Sequence, residues 1–188
     1  MISLKDIPRY LGSARYNAAY GGKGIHRFLE EYGKDGGVDL DPDFQRGHVW
    51  DETLRVRFIE HLIRGGEHGR TIVWNTPTQD AIASQSAERD LPDTLVLVDG
   101  KQRLTSILAF LDNKLAVFGG HLLSDFDDIS QREILSATGQ LRLEMSIHAL
   151  QRRKDLLRLY LELNEGAVAH DPSEIARVRA MFEAEGTP

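Results

Sequence analysis

The stretch Thr94–Val98 is the part of the sequence that most restricts the fold. Its residues are β-branched or apolar and none is charged, which is the pattern of a strand that is buried on both faces of a sheet. Asp99 and Gly100 follow at once, and the apolar residues of Gln102–Leu111 recur with helical spacing. A strand of this kind needs helices packed against the sheet to cover it. We therefore predict an α/β or α+β fold with few short strands: a small mixed sheet packed by helices.

Patterns elsewhere in the chain predict the remaining elements. Helices are expected over Ile25–Tyr32, over a stretch with Asp51 as N-cap and apolar residues from Leu54 to Ile63, over Arg152–Leu163 and over Pro172–Glu185. Strands are expected at Ile2–Ile7, Thr71–Trp74, Leu115–Phe118 and Leu141–Ile147. Irregular structure is expected over Gly12–Gly24 and Asp39–Val49. The predicted core of the central strand and its helix consists of Val96, Val98, Leu104, Ile107 and Leu108.

The length of 188 residues fits one domain with a small extension. We divide the chain into an N-terminal extension over residues 1–37, with a short strand, a glycine-rich segment and a helix, and a main domain over residues 38–188 with a polar surface loop at 76–92. The sequence has no cysteine. This excludes disulfide bonds, thiolate metal sites and a cysteine nucleophile.

Charge and hydropathy limit the classes of partner. The net charge is −6. A protein that binds duplex DNA by bulk electrostatics presents a basic face, so the acidic charge argues against this class of protein. No apolar run has the length of a membrane span, and Asp6 and Pro8 interrupt the place where a signal peptide has its apolar core. We therefore expect a cytoplasmic protein without a membrane partner.

The segment Val98–Thr105 is the sharpest candidate for chemistry. It ends a buried strand, turns at Gly100 and opens a helix whose unpaired N–H groups suit a phosphate. Lys101 and Arg103 add positive charge there, and Asp99 is placed to hold magnesium or to orient a water molecule. The structural alternative is an Asp–Gly turn that starts a helix with solvated basic side chains.

Two further segments have a functional and a structural interpretation. In Asp43–Trp50, Arg46 lies between two aromatic residues in a predicted loop, where binding residues are often found. Alternatively, Phe44 and Trp50 fill the core and Arg46 pairs with a carboxylate. In Leu161–Gly166, Asn164 either serves a site or simply ends a helix.

Other titratable groups have weaker patterns. His61 and His68 flank a Gly–Gly turn at a spacing that fits no metal site, so we expect surface histidines. Asp125, Asp127 and Asp128 lack the ligand spacing of a calcium loop, and a solvated acidic turn is expected.

The three segments occur in an order that resembles one known family. The sequence has Phe44–Gln45–Arg46 ahead of Trp50, then Asp99–Gly100 ahead of Gln102–Arg103, and then Asn164 with Gly166 ahead of a helix that begins near Ser173. This resembles the ParB-like domain at the N-terminus of GmrSD-type restriction enzymes, which phages and bacteria also carry as a stand-alone protein. The resemblance spans about Leu40–Ile175. The usual family motif is DGQQR, and Lys101 replaces its first glutamine.

The resemblance implies a fold similar to ParB and sulfiredoxin, and nucleotide binding and hydrolysis that control an attached nuclease or a partner. Together with the charges at the helix start, it implies a site in which Asp99 and Arg103 are catalytic and Asp99 holds magnesium. The candidate nucleotide-binding residues are Gln45, Arg46, Gly100, Lys101, Gln102, Arg103, Thr105 and Asn164.

We expect a nucleotide-binding module, or a slow NTPase that uses magnesium, which regulates nucleic-acid transactions or defence. The alternatives are a non-enzymatic interaction module of phage or bacterial origin and a DNA-binding protein. Many relatives carry an HNH-type nuclease domain. The seven histidines show no such metal spacing, so we expect any DNA cleavage to come from a nuclease or host protein as partner.

Overall fold

One mixed sheet of five strands organises the chain. The computed structural model describes residues 14–34, 36–45, 47, 50–79, 89–165 and 172–185. The strands are β1 (Tyr16–Tyr20), β2 (Val38–Asp39), β3 (Thr71–Asn75), β4 (Leu95–Asp99) and β5 (Leu143–His148). Their order is β1-β5-β3-β4-β2. The β1–β5 and β3–β4 pairs are antiparallel, and the β3–β5 and β2–β4 pairs are parallel. The predicted small mixed sheet packed by helices is confirmed.

Six α-helices lie in the described ranges. They are α1 (Gly22–Tyr32), α2 (Glu52–Ile63), α3 (Lys101–Leu111), α4 (Asp128–Leu135), α5 (Arg153–Glu165) and α6 (Pro172–Ala184). Asp51 caps α2 as predicted, since its carboxylate accepts a hydrogen bond from the N–H of Leu54 at 2.8 Å. Within these ranges, none of the helices has the length and apolar character that crossing a membrane requires.

One face of the sheet is covered by α1, α2, α3 and α4. Phe28, Ile59, Ile107 and Ile134, one from each helix, are buried in a single cluster with Trp74 of β3. The burial of apolar side chains in such a cluster is the main contribution to the stability of a domain of this length. The helix of the Asp–Gly segment is therefore anchored in this cluster through Leu104, Ile107 and Phe110.

The other face of the sheet is covered by α5 and α6. Val96 and Val98 of β4 are buried there with Leu157 of α5, Val178 of α6 and Phe44 from the loop that precedes α2. Because Leu95 and Leu97 of the same strand are buried on the first face, β4 is covered on both sides, as its sequence predicts. Leu108 differs from the prediction: it is only partly buried at the edge of the first cluster.

The prediction of irregular structure around Tyr16 and Tyr20 is wrong, because the strand β1 begins at Tyr16 and ends at Tyr20. Alternate residues of β1 are half-buried and exposed, but its small central residues, Ala18 and Ala19, give only a faint alternation in hydropathy. The strand depends on its partner: Tyr16 pairs with Ile147 of β5. The strand predicted at Ile2–Ile7 lies outside the described residues, and the division of the chain at residue 37 stays a prediction.

Between α3 and β5, one predicted strand is wrong and one helix was not predicted. Leu115–Phe118 is not a strand; Val117 makes one isolated bridge with His121, because the chain turns back at Phe118, which has a left-handed φ of 49°. Asp127 is exposed, as an acidic turn would be, but it caps α4 by accepting hydrogen bonds from the N–H groups of Ile129 and Ser130. Helix α4 has only eight residues, which is too short for a clear periodic signal.

Candidate functional site

The junction between β4 and α3 forms an uncapped helix N-terminus. Gly100, between Asp99 and the first helical residue Lys101, has φ of 101° and ψ of 13°, a left-handed conformation that favours glycine. A Cβ atom at Gly100 would lie 2.6 Å from Ile72 Cδ1. Among the described residues, no side chain caps this end of α3, and the positive end of a helix attracts anions.

An open cleft of about 620 Å³ lies at this helix end. Three separate parts of the chain form its walls: the loop before α2, the β4–α3 junction and the C-terminal half of α5. Its lining residues are Gln45, Trp50, Val98, Asp99, Gly100, Lys101, Gln102, Arg103, Tyr160 and Asn164. The cleft thus brings together seven residues predicted to form the site: Gln45, Asp99, Gly100, Lys101, Gln102, Arg103 and Asn164.

Thr105, which was also predicted to form the site, is not among the lining residues. The hydroxyl group of Thr105 bonds back to the α3 backbone, at 2.8 Å from the carbonyl oxygen of Lys101 and 3.2 Å from that of Gln102. Thr105 is therefore used within its own helix. Arg46 lies outside the described residues.

Each basic residue of the cleft has an acidic partner. Arg103 forms an ion pair with Asp99 across the Gly100 turn, and Lys101 forms one with Asp41. The side chains of Arg103 and Lys101 are 25% and 12% exposed, so both stems are largely packed while the charged heads reach the cleft. Nε of Arg103 is buried and has no hydrogen-bond partner among the described residues.

Two glutamine side chains tie the walls of the cleft together. The amide of Gln102, which is 8% exposed, accepts from the N–H of Trp50 at 3.3 Å and donates to the carbonyl oxygen of Gly47 at 3.2 Å. The amide nitrogen of Gln45 donates to the carbonyl oxygen of Leu97 in β4. The loop before α2 is thus joined to α3 by one amide and to the sheet by the other.

Asn164 closes the cleft on the α5 side. It is buried, and its Nδ2 donates to the carbonyl oxygen of Tyr160, one turn earlier, at 2.6 Å. Asn164 lies inside α5, whose range continues to Glu165. One N–H of Nδ2 is used in this way, so the second N–H and Oδ1 remain, and Oδ1 is the atom that can bind a metal ion.

Three residues at the cleft have roles that the sequence analysis did not assign. Tyr160 and Val98 line it, and Asp41 holds Lys101. Tyr160 was detectable, since it precedes Asn164 by four residues and so shares its helix face. Asp41 gave no signal, because its pairing depends on the path of an irregular loop.

Aromatic residues of the loop before α2 divide between the core and the cleft. Phe44 is 1% exposed and packs edge-on against Tyr160, with ring centroids 5.3 Å apart. Trp50 is half-buried and packs edge-on against Phe58 at 5.4 Å. The core interpretation of this segment is therefore right for Phe44, while Trp50 faces the cleft as a lining residue.

The other titratable candidates form no comparable site. The rings of His61 and His68 are 6.5 Å apart and both residues are exposed. In the parts of the chain that the structure describes, no group of three histidine, aspartate or glutamate side chains is arranged to hold a metal ion. The cleft is therefore the strongest candidate.

A comparison with protein families finds one family that covers the segments around the cleft. The sequence model of the GmrSD restriction endonuclease N-terminal domain matches residues 25–181, a range that holds all three wall segments of the cleft. No curated protein and no solved structure gives a significant match. Because the matched range covers most of the chain, the protein belongs to the family of GmrSD restriction endonuclease N-terminal domains.

Proposed function

We propose that the cleft binds a nucleoside triphosphate together with Mg²⁺ and hydrolyses it slowly, as a regulatory signal for a restriction-type nuclease. One observation carries this proposal: two cations, Lys101 and Arg103, lie at an uncapped helix N-terminus inside a cleft that three chain segments build. Few ligands other than a polyphosphate use all of these groups together.

The phosphates would lie at the start of α3. The first-turn N–H groups and the positive end of the helix dipole attract an anion there. Arg103 can bind two phosphate oxygens with its planar group, and Lys101 adds a second positive charge. Both already stand beside carboxylates, so a phosphate would replace or share an existing partner of each cation.

The donor set fits a magnesium ion that arrives with the nucleotide. Mg²⁺ commonly takes one or two carboxylates, water and substrate phosphates rather than a complete protein cage. Asp99, whose side chain is 39% exposed, supplies one carboxylate, and Oδ1 of Asn164 lies in the same cleft. The metal ion would neutralise phosphate charge, and Asp99 and Asn164 would hold it at the β4–α3 junction.

The remaining walls suit a base and a ribose. Trp50, Tyr160 and Val98 provide aromatic and apolar surface, and Gln45 adds an amide. Since Nε2 of Gln45 is used by Leu97, its Oε1 is the group available to accept a hydrogen bond from the ligand.

Hydrolysis would add water across the bond between the β- and γ-phosphates and give a nucleoside diphosphate, inorganic phosphate and a proton. Phosphoryl transfer depends mainly on positioning and on charge stabilisation. Arg103 would stabilise the charge that develops on the phosphate, and Asp99 would orient the attacking water. A set as small as this is consistent with slow turnover.

Thermal unfolding with ATP, GTP, CTP and UTP, each with Mg²⁺, tests the binding proposal. A ligand present at 100 times its Kd stabilises the fold by about 2.7 kcal/mol, which we expect to raise the Tm by several degrees for at least one nucleotide. Release of inorganic phosphate in the same samples tests hydrolysis. Four unchanged melting curves would contradict the proposal and favour a protein-interaction module.

A further inference from the structure

Helix α6 contacts the cleft loop through the guanidinium group of Arg177. Nη1 donates to the carbonyl oxygen of Asp43 at 2.8 Å, and Nη2 donates to that of Phe44 at 2.9 Å and lies 3.5 Å from that of Gln45. Three successive carbonyl groups therefore point at one planar cation. Arg177 itself does not line the cleft.

The segment that Arg177 holds is a tight turn that ends at a cleft residue. The N–H of Gln45 donates to the carbonyl oxygen of Pro42 at 2.9 Å and closes the turn. Phe44, in its middle, is buried against Tyr160, and Gln45 reaches the sheet at Leu97. The turn is thus fixed to the core on its inner side, while its outer carbonyls rely on Arg177.

A second contact supports the same turn from α5. Arg153 forms ion pairs with the carboxylate of Asp43 at 2.8 Å and with Glu185 at 2.9 Å. Arg153 therefore holds the side chain of Asp43, whereas Arg177 holds the backbone of the residues up to Gln45. Only the Arg177 contact acts directly on the peptide units that aim Gln45.

We propose that Arg177 is a positioning residue for the cleft: it keeps the turn over residues 42–45 in the arrangement that presents Gln45 to a ligand. For the ligand this rests on the proposed function. Hydrogen bonds from a charged donor are stronger than neutral ones, and removing this donor leaves three carbonyl groups to water. The turn then samples other conformations. The apparent affinity equals the intrinsic affinity multiplied by the fraction of time that the turn spends in the binding-competent conformation.

The geometry requires an arginine rather than any cation. The guanidinium fork spans two carbonyl oxygens at once, while an ammonium group is a point charge on a flexible stem. Lysine at this position can hold one carbonyl group at a time. Arg177→Lys should therefore give an effect between those of wild type and Arg177→Ala.

Affinity measurements on three variants test the assignment. For the best-binding nucleotide with Mg²⁺, we expect Arg177→Ala to raise the Kd about tenfold, which corresponds to a competent turn for about a tenth of the time. Arg177→Lys should lie between that value and wild type. Arg179→Ala is the matched control, since it removes the same charge from an exposed position of the same helix, and its Kd should stay within about twofold of wild type.

Hydrogen–deuterium exchange without nucleotide gives an independent readout. Arg177→Ala should speed exchange in a peptide over residues 42–47 and leave β4 and α3 unchanged, whereas a general loss of stability would speed exchange everywhere. Unchanged exchange in that peptide, or an affinity equal to that of Arg179→Ala, would overturn the assignment. If wild type binds none of the four nucleotides, the proposed function fails, and the exchange comparison alone decides the role of Arg177.

Discussion

The carboxylate of Asp99 and the guanidinium of Arg103 are ion-paired across the left-handed turn at Gly100. Both residues line the cleft and both side chains are partly exposed, so neither group is locked in the core. In the proposed function, the carboxylate would hold a metal ion and the guanidinium would bind a phosphate. Binding of a magnesium–nucleotide complex would exchange this internal pair for two external ones.

Substitution of Arg103 by alanine should weaken nucleotide binding by about 10- to 150-fold. A charge-assisted contact to phosphate contributes about 1.5–3 kcal/mol, and Arg103 is the strongest donor at the start of α3. Isothermal titration with the nucleotide selected by thermal unfolding measures the change. Circular dichroism should show that the variant is folded, since the side chain is only partly buried.

Lys101→Gln is the matched variant for that experiment, because it restores the residue of the usual family motif. Its effect should be much smaller, since Lys101 contributes charge without the planar two-point geometry. Equal affinity of wild type and Arg103→Ala would instead identify Arg103 as a structural partner of Asp99.

Substitution of Asp99 by asparagine should remove the dependence of binding on magnesium. Asparagine keeps the size of the side chain and loses the negative charge that a hard cation requires. We expect the Kd of the variant with Mg²⁺ to equal its Kd with EDTA, while wild type binds more tightly with Mg²⁺. A variant that retains the full magnesium effect would exclude Asp99 as a ligand.

Ile107→Ala should destabilise the fold more than Leu108→Ala does. Ile107 is 0% exposed, and such a truncation in a core costs about 2–5 kcal/mol. Leu108 lies at the edge of the same cluster and is only partly buried, so we expect a loss of about 1 kcal/mol. Urea unfolding of both variants measures the two losses. Equal losses in the free energy of unfolding would contradict the difference in burial between Ile107 and Leu108.

The fold should lose stability as the pH falls below about 6.5, the ordinary pKa of histidine. Burial lowers the pKa of His148 at the end of β5, so the unfolded chain binds more protons than the folded one in this range. The free energy of unfolding then rises with pH, by at most about 1.4 kcal/mol per unit for one group. His148→Gln should reduce the difference between urea unfolding at pH 5.5 and at pH 7.5. An unchanged difference would show that other groups cause it.

The sequence predicted those elements whose own residues specify them. The β4 segment has apolar residues for both faces, and Asp51 is followed by a regular apolar stripe, so strand and helix were visible locally. The strand β1 was not, because Ala18 and Ala19 carry little hydrophobic signal and the strand is defined by pairing with β5. Helix α4 was not predicted, because its eight residues are too few to show a periodic pattern of apolar side chains.

The residues of the candidate site also differ in whether the local sequence could predict them. Asp99, Gly100, Lys101 and Arg103 are neighbours in the chain, so their proximity followed from a strand-to-helix turn. Gln45 and Asn164 were predicted as site residues only from the order of the family motifs. Their position at the same cleft depends on the tertiary fold. The acidic partner of Lys101 and the contact from Arg177 are long-range contacts, which local patterns do not encode.

The pairing of Tyr16 with Ile147 sets an order of events for folding. During synthesis β1 emerges long before β5, and it has no partner in the sheet until the chain has been made almost to α5. Long-range pairing of this kind slows folding, because a large loop must close before the contact is gained. The start of α3 is complete earlier, but the α5 wall of the cleft arrives last. A chain that ends before α5 can therefore contain the turn at Gly100 without completing the cleft.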